Sequence, residues 1–323
     1  MVDNVAIANQ ITVGDFKFFN GGAFPTKREN LKEFLTTKNI ETRSQSACNY
    51  TIAAYGTKKI DLMEDLSTHW NPRDQRPRGT CTAFAVAACL ELLHLRKGND
   101  VVFSTQFLYW NMRENFPDQS IPHWKEGATK SKQALTVLEK IGCCTEEKLQ
   151  YPHFTDDISG PEPESDAFNE AKKYRARVID YYSIDEDGEQ SNIAEAILQH
   201  LTDGLPVAVG LPMYRIKDIA YPNGFTNTDT LITGIVKGPP SVCYLNLEMT
   251  AESVSAHQIC VVGFQLDSNA PGGGWFIFKN SWGSAFATSP KDKLPFLPGE
   301  GYGAISVADV NSDCWEYLCI DLV

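Results

Sequence analysis

The sequence predicts an α+β protein with a helical first half and a β-rich second half. Three observations carry that reading. Over residues 82–95 and 131–141 the apolar side chains recur at helical spacing. Residues 176–184, 206–211, 254–264, 275–280 and 303–307 are short apolar runs of strand length. Between the two halves, residues 156–166 are polar and carry Gly160, Pro161 and Pro163, which suits a connection.

Taken in order, residues 1–57 stand apart as an N-terminal extension. Within them Gln10-Ile11-Thr12-Val13 and Phe16-Lys17-Phe18-Phe19 flank Gly14-Asp15 and predict a hairpin. Leu31, Phe34 and Leu35 predict a helix over 27–38. Asn49-Tyr50-Thr51 fits a glycosylation acceptor, a pattern that often arises by chance. Residues 60–71 lead into a loop marked by Pro72, Pro77 and Gly79, since proline fixes φ and glycine frees it. The helix over 82–95 places Phe84, Ala87, Ala88, Leu92 and Leu95 inward and stops at Gly98-Asn99. A second helix over 103–115 opens with Ser104 as its cap. In 131–141, Ala134, Leu135, Leu138 and Ile141 share one face, and Gly142 ends the helix. After the connection come a helix over 167–175, a strand over 176–184 and an amphipathic helix over 192–202 that ends at Gly204. The remaining strands are spaced as hairpins, so the sheet is expected to be largely antiparallel. This gives a helical lobe at about 75–155 and a β lobe at about 165–310.

The chain has 323 residues, enough for a sizeable core. Its net charge of −12 argues against nucleic acid and anionic membrane as partners, since both select basic surface. No apolar run reaches the ~18–20 residues needed to span a bilayer. Residues 1–16 lack a basic start and a continuous apolar stretch, so they are not a signal peptide. The nine cysteines show no zinc-type spacing, and both scattered thiols and up to four disulfides remain open.

Cys81 stands where the loop turns into the helix. There the positive end of the helix dipole and the free N–H groups favour thiolate, the nucleophilic form. A lone cysteine is more often a small buried hydrophobe, as Cys89 is expected to be. Three further features point the other way. Gln75, six residues earlier, can offer an amide to an oxyanion together with the Cys81 N–H. His257 opens the apolar run 259–264. Asn280 follows the strand 275–278, so that a short loop between strands brings His257 and Asn280 to neighbouring ends. An asparagine carbonyl can then fix the imidazole tautomer. The other histidines, His69, His94, His123, His153 and His200, have no matching partners, and His94 reads as a packing residue. Asp156-Asp157 and Asp185-Glu186-Asp187 read as solvated loop acids.

These blocks, in this order, resemble the papain-like cysteine peptidases. Asp74-Gln75, Gly79-Thr80-Cys81, Ala83-Phe84 and Glu91 resemble the nucleophile block. His257 with Val261-Val262-Gly263-Phe264 resembles the histidine block. Lys279-Asn280-Ser281-Trp282-Gly283 with Gly301-Tyr302-Gly303 resembles the asparagine block. Ser104-Thr105-Gln106-Phe107-Leu108 and Glu126-Gly127 are similar to two intervening segments. The likeness covers residues 59–323.

The resemblance implies a two-lobe papain-like fold. In it a helical lobe with a central nucleophile helix faces an antiparallel, β-barrel-like lobe, all within residues 58–323. It implies a cysteine endopeptidase with Cys81, His257 and Asn280 as catalytic groups and Gln75 as oxyanion donor. Trp282 would shield the His257–Asn280 contact. Gly127 and Ala256 would touch substrate, Ala256 in the pocket for the second residue before the scissile bond. No cofactor and no metal is implied. The expected partner is a protein or peptide substrate, and the expected state is a monomer. Residues 1–57 are read as a non-standard propeptide cleaved between residues 44 and 63, against the alternative of a structural or partner-binding extension. Secretion is the favoured compartment, with a leader removed upstream, and the cytoplasm stays open. A silent homologue and another Cys-His acyl transferase are the competing activities.

The chain also departs from the family pattern, as a divergent, microbial branch would. Arg78 stands where a disulfide cysteine is usual. Thr82 stands where a tryptophan follows the nucleophile, and Ser284-Ala285-Phe286 where a second Trp-Gly is common.

Overall fold

The computed structural model describes residues 10–13, 16–19, 57–64, 66, 70–121, 123–153, 155–188, 190, 192–214, 225, 228–236 and 254–323. β1 (Gln10–Val13) and β2 (Phe16–Phe19) pair antiparallel with Val13 opposite Phe16, as the alternating pattern predicts. The expected helix over 27–38 and the Asn49 acceptor lie outside the described residues.

α1 (Cys81–Arg96) is the central helix, and every residue from 81 to 93 is buried. A helix buried all round needs no polar face, and its sequence, CTAFAVAACLELL, has almost none. Thr80 precedes it without a side-chain cap, and no acid occupies the first turn. The first-turn N–H groups and their dipole therefore act on whatever lies beside Cys81. α2 (Thr105–Glu114) follows, capped as expected: the Ser104 hydroxyl accepts from Phe107 N at 3.0 Å. α3 (Ser131–Lys140) stops before Gly142, whose φ is +96° and where a Cβ would lie 2.0 Å from the Ala171 carbonyl oxygen. Glycine is required there by both conformation and space. α4 (Ser165–Ala171) is shorter and earlier than the expected 167–175.

The second half supplies β4 (Ala176–Ser183), α5 (Ile193–Thr202), β5 (Val207–Tyr214), β6 (Ile235–Val236), β7 (Val254–Leu266), β8 (Gly274–Lys279), β9 (Tyr302–Ser306), α6 (Val307–Asp313) and β10 (Glu316–Leu322). The strand order is β4-β10-β5-β7-β8-β9-β6, and β3 (Lys59–Asp61) adds to β7. All pairs are antiparallel except β6 with β9.

Two expectations need correction. The β-barrel-like lobe is an open sheet among the described residues, with β4 and β6 at its ends. The β lobe also does not end near 310. β10 lies between β4 and β5 and is buried from Glu316 to Ile320. Its run EYLCIDL hides a central strand because an acid opens it, and that acid, Glu316, is fully buried.

α1 lies on β7, where Cys89 Sγ is 3.5 Å from Cys260 Sγ. One hydrophobic core joins α1 and α2 to the sheet. The seven described cysteines are buried and none of them is in a disulfide, so the reading as scattered buried thiols holds for them.

Candidate active site

The loop before α1 is fastened to the segment after β8. Gln75 N donates to the Ser281 carbonyl at 2.8 Å and Gly283 N to the Arg73 carbonyl at 3.0 Å, around an antiparallel bridge between Asp74 and Trp282. The Gln75 side chain is buried and held at both ends. Its Oε1 accepts from Ser281 Oγ at 2.6 Å, and its Nε2 donates to the Arg78 carbonyl at 2.7 Å. An amide carries two N–H donors, so one remains to be offered elsewhere. The Tyr151 hydroxyl braces the same loop, donating to the Gln75 carbonyl at 2.7 Å and lying 2.8 Å from Thr80 Oγ1. Cys81 is the first residue of α1, with 1% of its surface exposed.

β7 and β8 pair antiparallel with Cys260 opposite Lys279, so His257 and Asn280 come to the same end. The His257 Nε2 to Asn280 Oδ1 distance is 2.7 Å. Asn280 Oδ1 also accepts from Ser281 N at 2.8 Å, so the amide oxygen faces the imidazole. Nε2 therefore carries the proton, and Nδ1 is the basic ring nitrogen. Trp282 lies 4.6 Å from the His257 ring, tilted by 32°. Phe225 meets it edge-on at 5.0 Å. Burial pushes the imidazole down to about 4, partly opposed by the Asn280 acceptor. A charged imidazolium here thus needs an anion beside it.

The first turns of α1 abut this end of the sheet. Phe84, Ala85, Ala88 and Glu91 share one small cavity with Gln258, Lys279, Asn280 and Ser281. Behind it, the Glu91 carboxylate accepts from Trp70 Nε1 at 3.0 Å, Arg73 Nη1 at 3.2 Å and Phe103 N at 3.1 Å, with Lys279 Nζ at 4.0 Å. The chain segments carrying Gln75, Cys81, His257 and Asn280 thus meet at one place although nearly two hundred residues separate them.

Gly127 has φ +100°, and a Cβ there would lie 2.7 Å from Tyr109 Oη. Its N–H donates to the Trp124 carbonyl, and its carbonyl accepts from Tyr109 Oη at 2.9 Å. Ala256 is buried opposite Pro212 on β5. The Arg78 guanidinium, in place of a cysteine, lies over the rings of Tyr109 and Tyr151 at 5.2 and 4.9 Å and donates to Gln106 Oε1 at 3.0 Å. His94 packs against Phe103 and Tyr174. No group of three His, Cys, Asp or Glu side chains among the described residues is arranged to hold a metal. Sequence reasoning missed Phe225, because a lone aromatic after Pro222-Asn223-Gly224 reads as loop. Ser281 stood in the asparagine block with no role of its own, and the structure shows it anchoring Gln75.

The described fold and this site define a papain-like cysteine peptidase, a hydrolase acting on proteins. The pattern of papain family cysteine proteases matches residues 57–289, and the chain belongs to that family. An uncharacterised peptidase C1-like protein of Acanthamoeba polyphaga mimivirus is 26% identical over 299 residues, 90% of this chain and 83% of that one. Xylellain, a cysteine protease from Xylella fastidiosa, superposes with a TM-score of 0.58 at 18% identity, covering 83% of this chain and 87% of that one. Bromelain from Ananas comosus, solved with an inhibitor, superposes with a TM-score of 0.50 at 17% identity, covering 83% and 100%. No described helix is long and apolar enough to cross a membrane.

Proposed function

We propose that the chain is a cysteine endopeptidase in which Cys81, His257 and Asn280 act in sequence and Gln75 supports the oxyanion. The observation that carries this is the 2.7 Å bond from His257 to Asn280 at the sheet end that abuts the first turns of α1. The Cys81 thiol passes its proton to His257, and the thiolate attacks the peptide carbonyl. The Cys81 N–H and the remaining Gln75 Nε2–H receive the oxyanion. The imidazolium protonates the leaving amine, giving a thioester. His257 then takes a proton from water, and the hydroxide hydrolyses the thioester and restores the thiol. The low basicity of a buried lone imidazole fits this cycle, because proton and anion appear together and burial penalises each alone. Asn280 holds the ring, and Trp282 and Phe225 keep water from it. Gly127 and Ala256 line the acyl side of the cleft. Substrates are proteins or peptides, and the enzyme acts as a monomer.

Residues 1–57 serve as a propeptide in this reading. β3 pairs with β7, and Leu62 and Met63 are buried, so cleavage inside 59–63 would have to strip a strand from the sheet. This favours processing ahead of Lys58, in the upstream part of the 44–63 window. The test is hydrolysis of a fluorogenic peptide by the full chain, by residues 58–323, and by Cys81→Ala and Gln75→Ala variants of the shorter form. Residues 58–323 should be the faster of the two lengths. Cys81→Ala should be inactive, and Gln75→Ala slower by about 10²–10³-fold. Equal rates for the two lengths would remove the propeptide role, and turnover by Cys81→Ala would remove the mechanism.

A further inference from the structure

Two buried side-chain atoms beside the His257–Asn280 pair have no partner among the described residues: Asn280 Nδ2 and Gln258 Oε1. One is a donor and the other an acceptor, and their residues line the same cavity. Both orientations are fixed by the bonds on the far side of each amide. Asn280 Oδ1 accepts from His257 Nε2 and from Ser281 N, so Nδ2 is turned away from them. On the other side, Glu316 accepts from Ser131 N at 3.2 and 3.3 Å. The Ser131 hydroxyl oxygen accepts from Gln258 Nε2 at 2.6 Å. Gln258 must then present Oε1 away from Ser131. The arrangement depends on Gly210, which lies between Gln258 and Glu316 in the strand register. A Cβ at 210 would lie 2.7 Å from Glu316 Cγ. Glycine lets the two long side chains close over the strand and meet Ser131 at the start of α3.

The cavity has about 20 Å³ of room for a water. One water needs roughly 10–15 Å³ on that measure, and two to four polar partners. We propose that Gln258 is a positioning residue for the reaction, acting through one bound water that accepts from Asn280 Nδ2 and donates to Gln258 Oε1. The proposal rests on the peptidase reading above. With the water in place, rotation of the Asn280 amide would break a bond on each side, so its oxygen stays on His257. The chain Glu316–Ser131–Gln258–water–Asn280–His257 then connects the start of α3, two strands and the segment after β8 to the imidazole.

The test has two parts, both on the protein folded from its full chain. A crystal structure at high resolution should show a density peak within hydrogen-bond distance of Asn280 Nδ2 and Gln258 Oε1, and no peak there would overturn the water. The second part is the pH profile of Cys81 alkylation by iodoacetamide. In Gln258→Met the Asn280 amide loses its brace and the imidazolium its steady acceptor. The acid limb should move toward neutral pH, lowering the rate at pH 5 by about tenfold, the low end for an outer partner that orients a functional group. Ser131→Ala, which frees the Gln258 amide to turn, should shift the limb the same way by less. An unmoved profile in Gln258→Met would overturn the positioning role. If Gln258→Met does not fold, Ser131→Ala and the crystallographic peak decide. A wild-type Cys81 that resists alkylation at every pH would instead sink the peptidase reading, and the peak would still decide the water.

Discussion

Replacing Glu91 by alanine removes the anion that organises the wall between α1 and β8. Glu91 and Lys279 are 4% and 5% exposed, and the Lys279 ammonium sits 3.6 Å above the Trp70 ring. Burial pulls Lys279 down to about 8, with Glu91 the main opposing influence. Removing one partner of a buried pair typically costs ~3–5 kcal/mol, because the other charge is left uncompensated. Trp70 Nε1 and Phe103 N lose their acceptor as well. Arg73 is less affected, since it keeps Glu146 at 2.6 Å. Lys279 also sets the pH dependence. Its folded value lies below its unfolded one, so its stability contribution is present at high pH and is lost as pH falls through about 8. Without Glu91 the folded value drops further. The deficit of the variant then grows as pH falls below about 8 and shrinks above it, where Lys279 is neutral in both proteins. At ~2–4 °C per kcal/mol, a loss of ~3 kcal/mol lowers Tm at pH 7 by roughly 6–12 °C. The assay is a thermal melt at pH 7 and pH 9, with both proteins carrying Cys81→Ala to prevent self-digestion. A loss under about 2 °C at pH 7, or equal losses at both pH values, would refute this reasoning.

Glu316 gives the opposite sign. Burial raises its carboxyl to about 7 against the donors from Ser131, so its favourable contribution is present at low pH and is lost as pH rises through about 7. Glu316→Gln should match wild type near pH 5 and melt several degrees higher at pH 8.5, and equal destabilisation at both would contradict this. Arg78→Ala removes two cation–π contacts and the bond to Gln106, together about 2 kcal/mol, and should lower Tm by a few degrees. Arg78→Lys should not restore it, because an ammonium cannot both stack and bond as the guanidinium does; full rescue by lysine in the same melt would count against the stacking account.

Much of the fold and of the candidate site was legible where local rules and tertiary needs agree. α1, α2, α3, β4 and α5 fall within a few residues of their expected bounds, because apolar periodicity and Ser104 or Gly142 mark them. β10 was not legible, since a buried acid looks like surface until Ser131 and Gly210 are brought to it. The open course of the sheet was not legible either, because strand runs do not reveal which edges pair. At the site, motif order gave the residues to examine. It could not give Phe225 or Gln258, or the role of Ser281, because these arise from contacts between distant segments. Nor could it show that the glycine at 127 answers to a left-handed φ and the Tyr109 hydroxyl.

The most direct test of the central claim is a mass spectrum of residues 58–323 after treatment with a peptidyl epoxide that reacts with active-site thiolates. Seven described cysteines are buried thiols, and the account sets only Cys81 beside a basic imidazole nitrogen. It predicts a single adduct, mapped to Cys81 by peptide sequencing and abolished in His257→Ala. An intact, folded chain with no adduct, or with adducts spread over several cysteines and unaffected by His257→Ala, would contradict it.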